Sequence, residues 1–184
     1  MPPRRLLAAA LTLTAAVVAA GCGGQDEPNG SLPETKRAFT LASGAFADGT
    51  PLPREVTCDG SGIVPPLRWA FVPGRAKELT LVVEDPDAKD FVHWIVLGLP
   101  PATRGISQGA LPAGAVNGRN GFGKPGWGPP CPPKGDPAHH YVFALYATDA
   151  PLGLGASAPI DEVHRALEAH ALSRGTLTGT YGRG

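Results

Sequence analysis

Acidic and imidazole side chains gather between two strongly apolar runs of this sequence. Asp85 and Asp87 flank Pro86, and His93 and Trp94 follow at the start of the next apolar run. Proline restricts its own backbone and has no N–H donor, so Asp-Pro-Asp predicts a rigid turn that holds both carboxylates in place. Alternation along a strand predicts that His93 and Trp94 point to opposite faces.

A second polar group precedes the apolar run that begins at Tyr141. Lys134, Asp136, His139 and His140 belong to it. Residues two apart share a strand face, so His139 and Tyr141 are expected on one side and His140 on the other. If the strands carrying both groups are neighbours, one rim holds carboxylates, imidazoles and a phenol. The donors of this set suit an oxyanion, above all a phosphate. The same residue types can bind metals, but their spacing demands none, and neither a metal nor a cofactor is expected.

These side chains must be positioned mainly by β-strands. The 184 residues include 25 Gly and 21 Pro, most of which separate short runs rich in β-branched and aromatic residues. This pattern is typical of an all-β domain, and near-continuous apolar runs indicate strands covered on both faces. Strands are predicted at RAFTLAS near Phe39, LRWAFV from Leu67, ELTLVVED from Glu78, FVHWIVLGL from Phe91, YVFALYATD from Tyr141 and TLTGTY near the C-terminus.

One helix is predicted in APIDEVHRALEAHALSRG, where apolar residues recur on one face and the first turn is acidic. Arg174 and Gly175 are expected to end this helix. The segment from Pro100 to Lys134 is dense in Gly and Pro. A loop of this length in a compact domain usually has a function or is partly disordered.

The N-terminus has the features of an export signal. Arg4 and Arg5 precede an apolar run that ends in small residues before Cys22. The run is shorter than the ~20 residues of a membrane-spanning helix, so cleavage is expected. VVAAGC resembles a bacterial lipobox, which implies that Cys22 carries a lipid; Ala19 is smaller than the usual residue there, and secretion without an anchor is the alternative. The predicted organisation is a signal peptide (1–21), a flexible tether (22–37) and one domain (38–184).

Charge and cysteine content narrow the function further. The 16 Lys and Arg residues balance 16 Asp and Glu residues, so no overall field attracts nucleic acid, and no nucleic-acid partner is expected. Apart from Cys22, the chain has Cys58 and Cys131. In an oxidising compartment this pair predicts a disulfide, and a free, reactive Cys131 is the alternative.

Several stretches, in order along the chain, resemble the phosphatidylethanolamine-binding protein (PEBP) family, in particular its bacterial Raf-kinase-inhibitor-like branch. They are TCDGSGIVPPLRW, LVVEDPDAKDFVHWIVLGLP, NGRNGFGKPGWGPPCPPKGDPAHHYVFALYATD and LTGTYGR, and the resemblance runs from about Ala38 to Arg183. It implies a mainly β fold with antiparallel sheets in a Greek-key arrangement and a C-terminal helix beside a small anion-binding cavity. The cavity residues that it implies are Asp85, Asp87, His93, Pro132, Pro133, His139 and Tyr141. Two positions depart from the family pattern: His140 replaces an arginine, and Lys89 replaces a proline.

The expected function is binding of a small anion, which is a phosphate, a phosphorylated ligand or a lipid headgroup, outside the cytoplasm of a bacterium. The protein would be anchored in the envelope by its lipid or secreted. One alternative is a regulator that binds a protein partner, as family members that inhibit kinases or proteases do; the sequence identifies no such partner. The other is a hydrolase with His93 or His139 as general base. An enzyme is not expected, because Cys131 is the only candidate nucleophile and G-x-S-x-G is absent.

Overall fold

The computed structural model describes Pro33, Thr35, Lys36 and residues 39–108, 110–156 and 158–184. The predicted signal peptide, Cys22 and nearly all of the predicted tether lie outside these residues. Within the described part, no helix is both long enough and apolar enough to span a bilayer. The elements of this part are β1 (Thr40–Ser43), β2 (Thr50–Pro51), β3 (Leu67–Ala70), β4 (Glu78–Asp85), β5 (Phe91–Leu99), β6 (Gly105–Ile106), β7 (Val116–Asn117), β8 (His139–Thr148), α1 (Ile160–His170) and β9 (Ala171–Tyr181).

Two sheets organise the domain. The larger has the strand order β2-β9-β8-β4-β5-β7, and the smaller has the order β1-β3-β6. Adjacent strands are antiparallel except for the short β2, which pairs parallel to β9. The long strand β8 pairs with β4 on one side and β9 on the other. The predicted mainly β fold with one C-terminal helix is therefore confirmed.

The larger sheet is covered on both faces. One face packs against the smaller sheet, in a core that joins Leu81 and Phe143 to Leu41 and Trp69. The opposite face packs against α1 through a second core that includes Val163 and Leu167 of the helix. All eight residues of β4 are consequently buried. This double burial explains the near-continuous apolar runs of the sequence.

The helix ends earlier than its sequence predicts. α1 ends at His170 and β9 begins at Ala171, so the prediction that the helix continues to Arg174 and Gly175 is wrong. Residues 171–181 instead form a long antiparallel ladder with β8, and these hydrogen bonds together outweigh one more helical turn. Gly175 is a strand residue here: an added Cβ would lie 2.9 Å from the carbonyl oxygen of Phe39, so glycine permits a close backbone approach.

The long Gly- and Pro-rich segment is attached to the edge of the larger sheet. Besides β7, three of its glycines donate backbone hydrogen bonds to carbonyl oxygens of β5: Gly118 to Ile95, Gly121 to Val92 and Gly128 to His93, at 2.8 to 2.9 Å. These bonds hold the segment beside the start of β5. The polar residues at that end of the sheet therefore have a wall built from this segment.

Candidate functional site

The Asp-Pro-Asp segment lies at the end of β4 and forms a hydrogen-bonded turn there. Asp85 caps a short 3₁₀ helix at Pro86–Ala88, since its Oδ1 accepts a hydrogen bond from the Ala88 amide at 3.2 Å. Asp87 accepts hydrogen bonds through Oδ2 from the amide of His140 at 2.7 Å and from its ring Nδ1 at 2.9 Å. Both carboxylates are thus fixed to backbone, one buried and one exposed.

A β-bulge changes where the start of β5 points. Trp94 faces Val83 and Val92 faces Glu84 in the pairing with β4, so His93 is an extra residue without a facing partner on β4. The His93 ring contacts Tyr141, and Trp94 packs in the same core as Tyr141. The two side chains therefore lie on the same side of the sheet. The expectation that they point to opposite faces is wrong, because the bulge breaks the alternation.

Four side chains meet where β4, β5 and β8 adjoin, and we call them the polar cluster: Asp85, His93, His139 and Tyr141. The Nδ1 atom of His139 lies 2.7 Å from Oδ2 of Asp85. The rings of His93 and Tyr141 are in edge contact with centroids 5.1 Å apart. His139 is partly exposed, whereas the other three are buried. His140 points the other way, to exposed Asp87, as strand alternation predicts.

Burial sets the protonation of His93. It lowers the pKa of this imidazole below its usual 6.5, and the positive charge of a protonated His139 lowers it further; the Gly128 carbonyl and the Asp85 carboxylate act in the opposite direction. The ring is therefore neutral at pH 7. A carbonyl oxygen can only accept a hydrogen bond, so Nδ1 donates to the Gly128 oxygen at 2.8 Å. In this tautomer Nε2 carries the lone pair.

The hydroxyl of Tyr141 is buried and unsatisfied. Tyr141 is fully inaccessible, and its oxygen has no hydrogen-bond partner among the described residues. Burial, followed by the negative charge of Asp85, raises the pKa of the phenol, so the hydroxyl keeps its proton. A side-chain interaction with Asp85 contributes to this shift as well, but the hydroxyl and the carboxylate do not meet the distance and angle of a hydrogen bond. A buried hydroxyl without a partner costs free energy, which a ligand that accepts its proton would recover.

Residues 118–131, which we call the Gly128 loop, form the wall beside His93. Gly128 and His93 exchange two hydrogen bonds, one between backbone atoms and one through the imidazole, each 2.8 Å long. Phe122 packs against both: its ring centroid lies 5.8 Å from that of His93, and a Cβ at position 128 would lie 2.4 Å from the ring. On this wall lies a cavity of about 370 Å³, lined by Cys58, Asn120, Phe122, Lys124, Pro125, Trp127, Gly128, Pro129 and Cys131.

Cys58 and Cys131 form a disulfide, as one of the two alternatives predicts. The bond ties the Gly128 loop to the turn at residues 54–60, and the Cys58 amide also donates to the carbonyl oxygen of Pro130 at 3.0 Å. The disulfide consumes the thiol that a reactive Cys131 would need.

The two predicted prolines lie beside a different polar group. Pro132 is buried and Pro133 is exposed. The Pro132 carbonyl oxygen accepts a hydrogen bond from Arg183 at 3.5 Å. Arg183 also forms two hydrogen bonds with Asp59, at 2.9 and 3.0 Å. The contacts of Pro132 that the structure describes therefore lead to Arg183 and not to the polar cluster.

Sequence reasoning did not identify three residues that shape this site. Gly128 holds His93, and Phe91 and Phe122 place their rings against the imidazole, with centroids 5.2 and 5.8 Å away. The pattern Gly-Trp-Gly-Pro-Pro contained a signal for Gly128, since glycine beside proline marks a close backbone approach. No local signal identified the aromatic rings. Among the described residues, no three His, Cys, Asp or Glu side chains form a group that could hold a metal ion.

Comparisons with known proteins agree with this architecture. The family model described as phosphatidylethanolamine-binding protein matches residues 42–182. A UPF0098 protein of Methanothermobacter thermautotrophicus is 43% identical over 153 residues, which cover 79% of this chain and all of that protein. A Mycobacterium tuberculosis protein named "Putative lipoprotein LppC" is 41% identical over 145 residues, covering 78% of this chain and 72% of its own.

Solved structures lead to the same family. The crystal structure of Escherichia coli YbcL, described as a member of the mammalian PEBP family, has a TM-score of 0.76 to this chain at 29% identity, and covers 80% of this chain and 99% of its own. The family match covers most of the sequence and both of the sheets described above. The chain belongs to the phosphatidylethanolamine-binding protein family.

Proposed function

We propose that the protein binds a small anion at the polar cluster. Suitable anions are phosphate, the phosphate group of a phosphorylated compound and the phosphate of a lipid headgroup, which share tetrahedral oxyanion chemistry. The observation that carries the proposal is the buried Tyr141 hydroxyl, which has no partner in the described part of the chain. A proton donor held in this way beside two imidazoles favours a ligand that accepts hydrogen bonds.

Each member of the cluster has a distinct part in this proposal. Tyr141 donates its hydroxyl proton to an anion oxygen. Asp85 orients the His139 ring through the 2.7 Å contact between Oδ2 and Nδ1, which leaves Nε2 to face the anion. His93 is held by Gly128, and its Nε2 can take up a proton when the anion arrives.

We propose binding rather than bond cleavage as the activity. Support comes from the disulfide, because Cys131 is the only nucleophile that the sequence offers beside this site. A sulfur in a disulfide is not a thiolate and cannot begin covalent catalysis.

We further propose that the protein works in the bacterial envelope, held there by a lipid on Cys22. Support comes from the export signal and lipobox-like sequence, and from a relative that carries a lipoprotein name. The disulfide fits an oxidising compartment outside the cytoplasm.

Phosphate and phosphoethanolamine are expected to raise the melting temperature of the mature protein. A ligand at a hundred times its Kd stabilises the folded state by about 2.7 kcal/mol, which is several degrees for a domain of this size. His93→Asn should abolish the shift, because asparagine can still donate to Gly128 but lacks the second ring nitrogen. The matched control is His170→Asn at the exposed end of α1, where the shift should persist. Absence of a shift at millimolar ligand would refute the proposal.

Anion binding is expected to take up a proton near pH 7. The pKa of His93 is below 6.5 in the free protein, and an adjacent anion raises it, so the ring gains a proton on binding. Affinity for sulfate, whose charge is constant between about pH 5 and 8, should therefore increase as the pH falls toward the pKa of free His93. Calorimetry in buffers of different ionisation enthalpy measures this uptake directly. An affinity that is independent of pH would exclude His93 from the anion contacts.

A further inference from the structure

An exposed aromatic residue stands at the end of the domain opposite to the polar cluster. Phe71 is 80% exposed, and it begins the loop from β3 to β4, residues 71–77, which we call the Phe71 loop. Its φ is 65°, in the left-handed region that a non-glycine residue rarely adopts. Exposing a phenyl ring and straining its backbone both cost free energy, and packing within the domain recovers neither cost. Such a position is therefore a candidate for a contact with something outside the chain.

Exposed cations surround the Phe71 loop. Arg75 and Lys77 of the loop are exposed, and so is Lys36. Lys77 lies at the end of β8, because its amide donates to the carbonyl oxygen of Thr148 at 2.8 Å. Although the whole chain has no net charge, this end presents positive charge beside an aromatic ring.

Two acidic residues of the described chain at the same end, Asp149 and Glu78, have partners of their own. Asp149 pairs with His170 at 2.9 Å. Glu78 is buried, and it accepts hydrogen bonds from Thr80 and from the amides of Gly98 and Leu152. Both carboxylates are thus held by partners other than the cations of the Phe71 loop.

The N-terminal segment joins the domain at this same end. The carbonyl oxygen of Pro33 accepts a hydrogen bond from the Tyr146 hydroxyl, two residues before the end of β8. Farther along, Thr40 pairs with Ala70, the residue just before Phe71. Pro33 comes 11 positions after Cys22, a stretch that spans at most about 40 Å when fully extended. A lipid on Cys22 would thus hold this end of the domain close to the bilayer.

We propose that the Phe71 loop is a membrane-contacting surface that binds a bilayer containing anionic phospholipids. Phe71 inserts among the headgroups, and Lys36, Arg75 and Lys77 contact the lipid phosphates. The polar cluster lies at the far end of β8, about 30 Å away at 3.3 Å per residue, so it faces away from the membrane. The orientation of the domain on the membrane depends on the proposed lipid on Cys22. The binding of the Phe71 loop to a bilayer does not depend on that lipid.

The test uses the mature chain from Gly23, which carries no lipid and retains every described residue. It is expected to sediment with vesicles of phosphatidylcholine and phosphatidylglycerol in equal parts, and much less with vesicles of phosphatidylcholine alone. Phe71→Asn should weaken this binding about tenfold or more, from the loss of a buried phenyl ring. Arg75→Gln with Lys77→Gln should weaken it by about fivefold for each charge.

Matched control variants distinguish binding by the Phe71 loop from non-specific adsorption of the protein to vesicles. Val116→Asn removes another exposed apolar side chain, and Arg54→Gln with Arg165→Gln removes the same charge from exposed positions outside both proposed sites. Both variants should keep wild-type vesicle binding. Asparagine tolerates the left-handed region, so Phe71→Asn should keep or raise the melting temperature. Its phosphate-induced thermal shift should also persist, which keeps this test independent of the anion site.

Three results would overturn the proposal. The first is wild-type sedimentation that does not depend on phosphatidylglycerol, and the second is equal loss of binding in the control variants. The third is a dimer in analytical ultracentrifugation that Phe71→Asn dissociates, which would assign Phe71 to a contact between two copies of the chain.

Discussion

Reduction of the Cys58–Cys131 disulfide is expected to lower the free energy of unfolding by about 4 kcal/mol. The two cysteines are 73 residues apart, and opening a loop of this length restores much conformational entropy to the unfolded chain. For a domain of this size the loss corresponds to a fall of about 10 °C in melting temperature. Calorimetry of the mature chain from Gly23, with and without a reductant, measures the effect.

The double variant Cys58→Ser, Cys131→Ser controls for side effects of the reductant. It should melt at the temperature of the reduced protein and should not respond to reductant. Ligand affinity should fall as well, because the disulfide holds the loop in which Gly128 binds His93. Two free thiols in the untreated, denatured protein, or an unchanged melting temperature after reduction, would show that the bond contributes nothing to stability.

Tyr141→Phe is expected to change stability and binding in opposite directions. Removing a buried hydroxyl that lacks a partner should stabilise the free protein by about 1 kcal/mol. The same change removes a proton donor from the proposed anion site, and phosphate affinity should fall about tenfold or more. Urea unfolding gives the first quantity, and isothermal titration with phosphate gives the second.

Tyr181 provides the matched control for this variant. Its hydroxyl donates to Oδ2 of Asp59 at 2.5 Å, so Tyr181→Phe should destabilise the fold. The two tyrosine variants are therefore expected to shift the unfolding midpoint in opposite directions. Destabilisation by both would mean that the Tyr141 hydroxyl is satisfied in solution, and the argument from its burial would fail.

Rules that act over a few residues predicted much of the site. The Asp-Pro-Asp turn depends on the ring of Pro86, and the shared orientation of His139 and Tyr141 depends on strand alternation in β8. Both are local properties, and both predictions hold. The apolar runs also predicted the central strands correctly, because a strand that is buried on both faces consists almost entirely of apolar residues.

The features that sequence reasoning missed depend on distant partners. The bulge at His93 exists because β4 and β5 pair out of simple register, and the end of α1 is set by the ladder between β8 and β9. The residues that determine the bulge at His93 and the end of α1 lie far from these positions in the sequence. Lys89 is a third case: its φ of 58° is one that proline cannot adopt. The proline that the family pattern predicts at this position would therefore not fit the turn of this chain.

The placement of β9 affects when this protein can fold. Its residues follow those of every other strand described, yet the strand lies inside the larger sheet, between β2 and β8. The two flanking strands are therefore made before the strand that joins them. The larger sheet can be completed only after residues 171–181 have been added to the chain, so pairing of β9 is a late step in the folding of this domain.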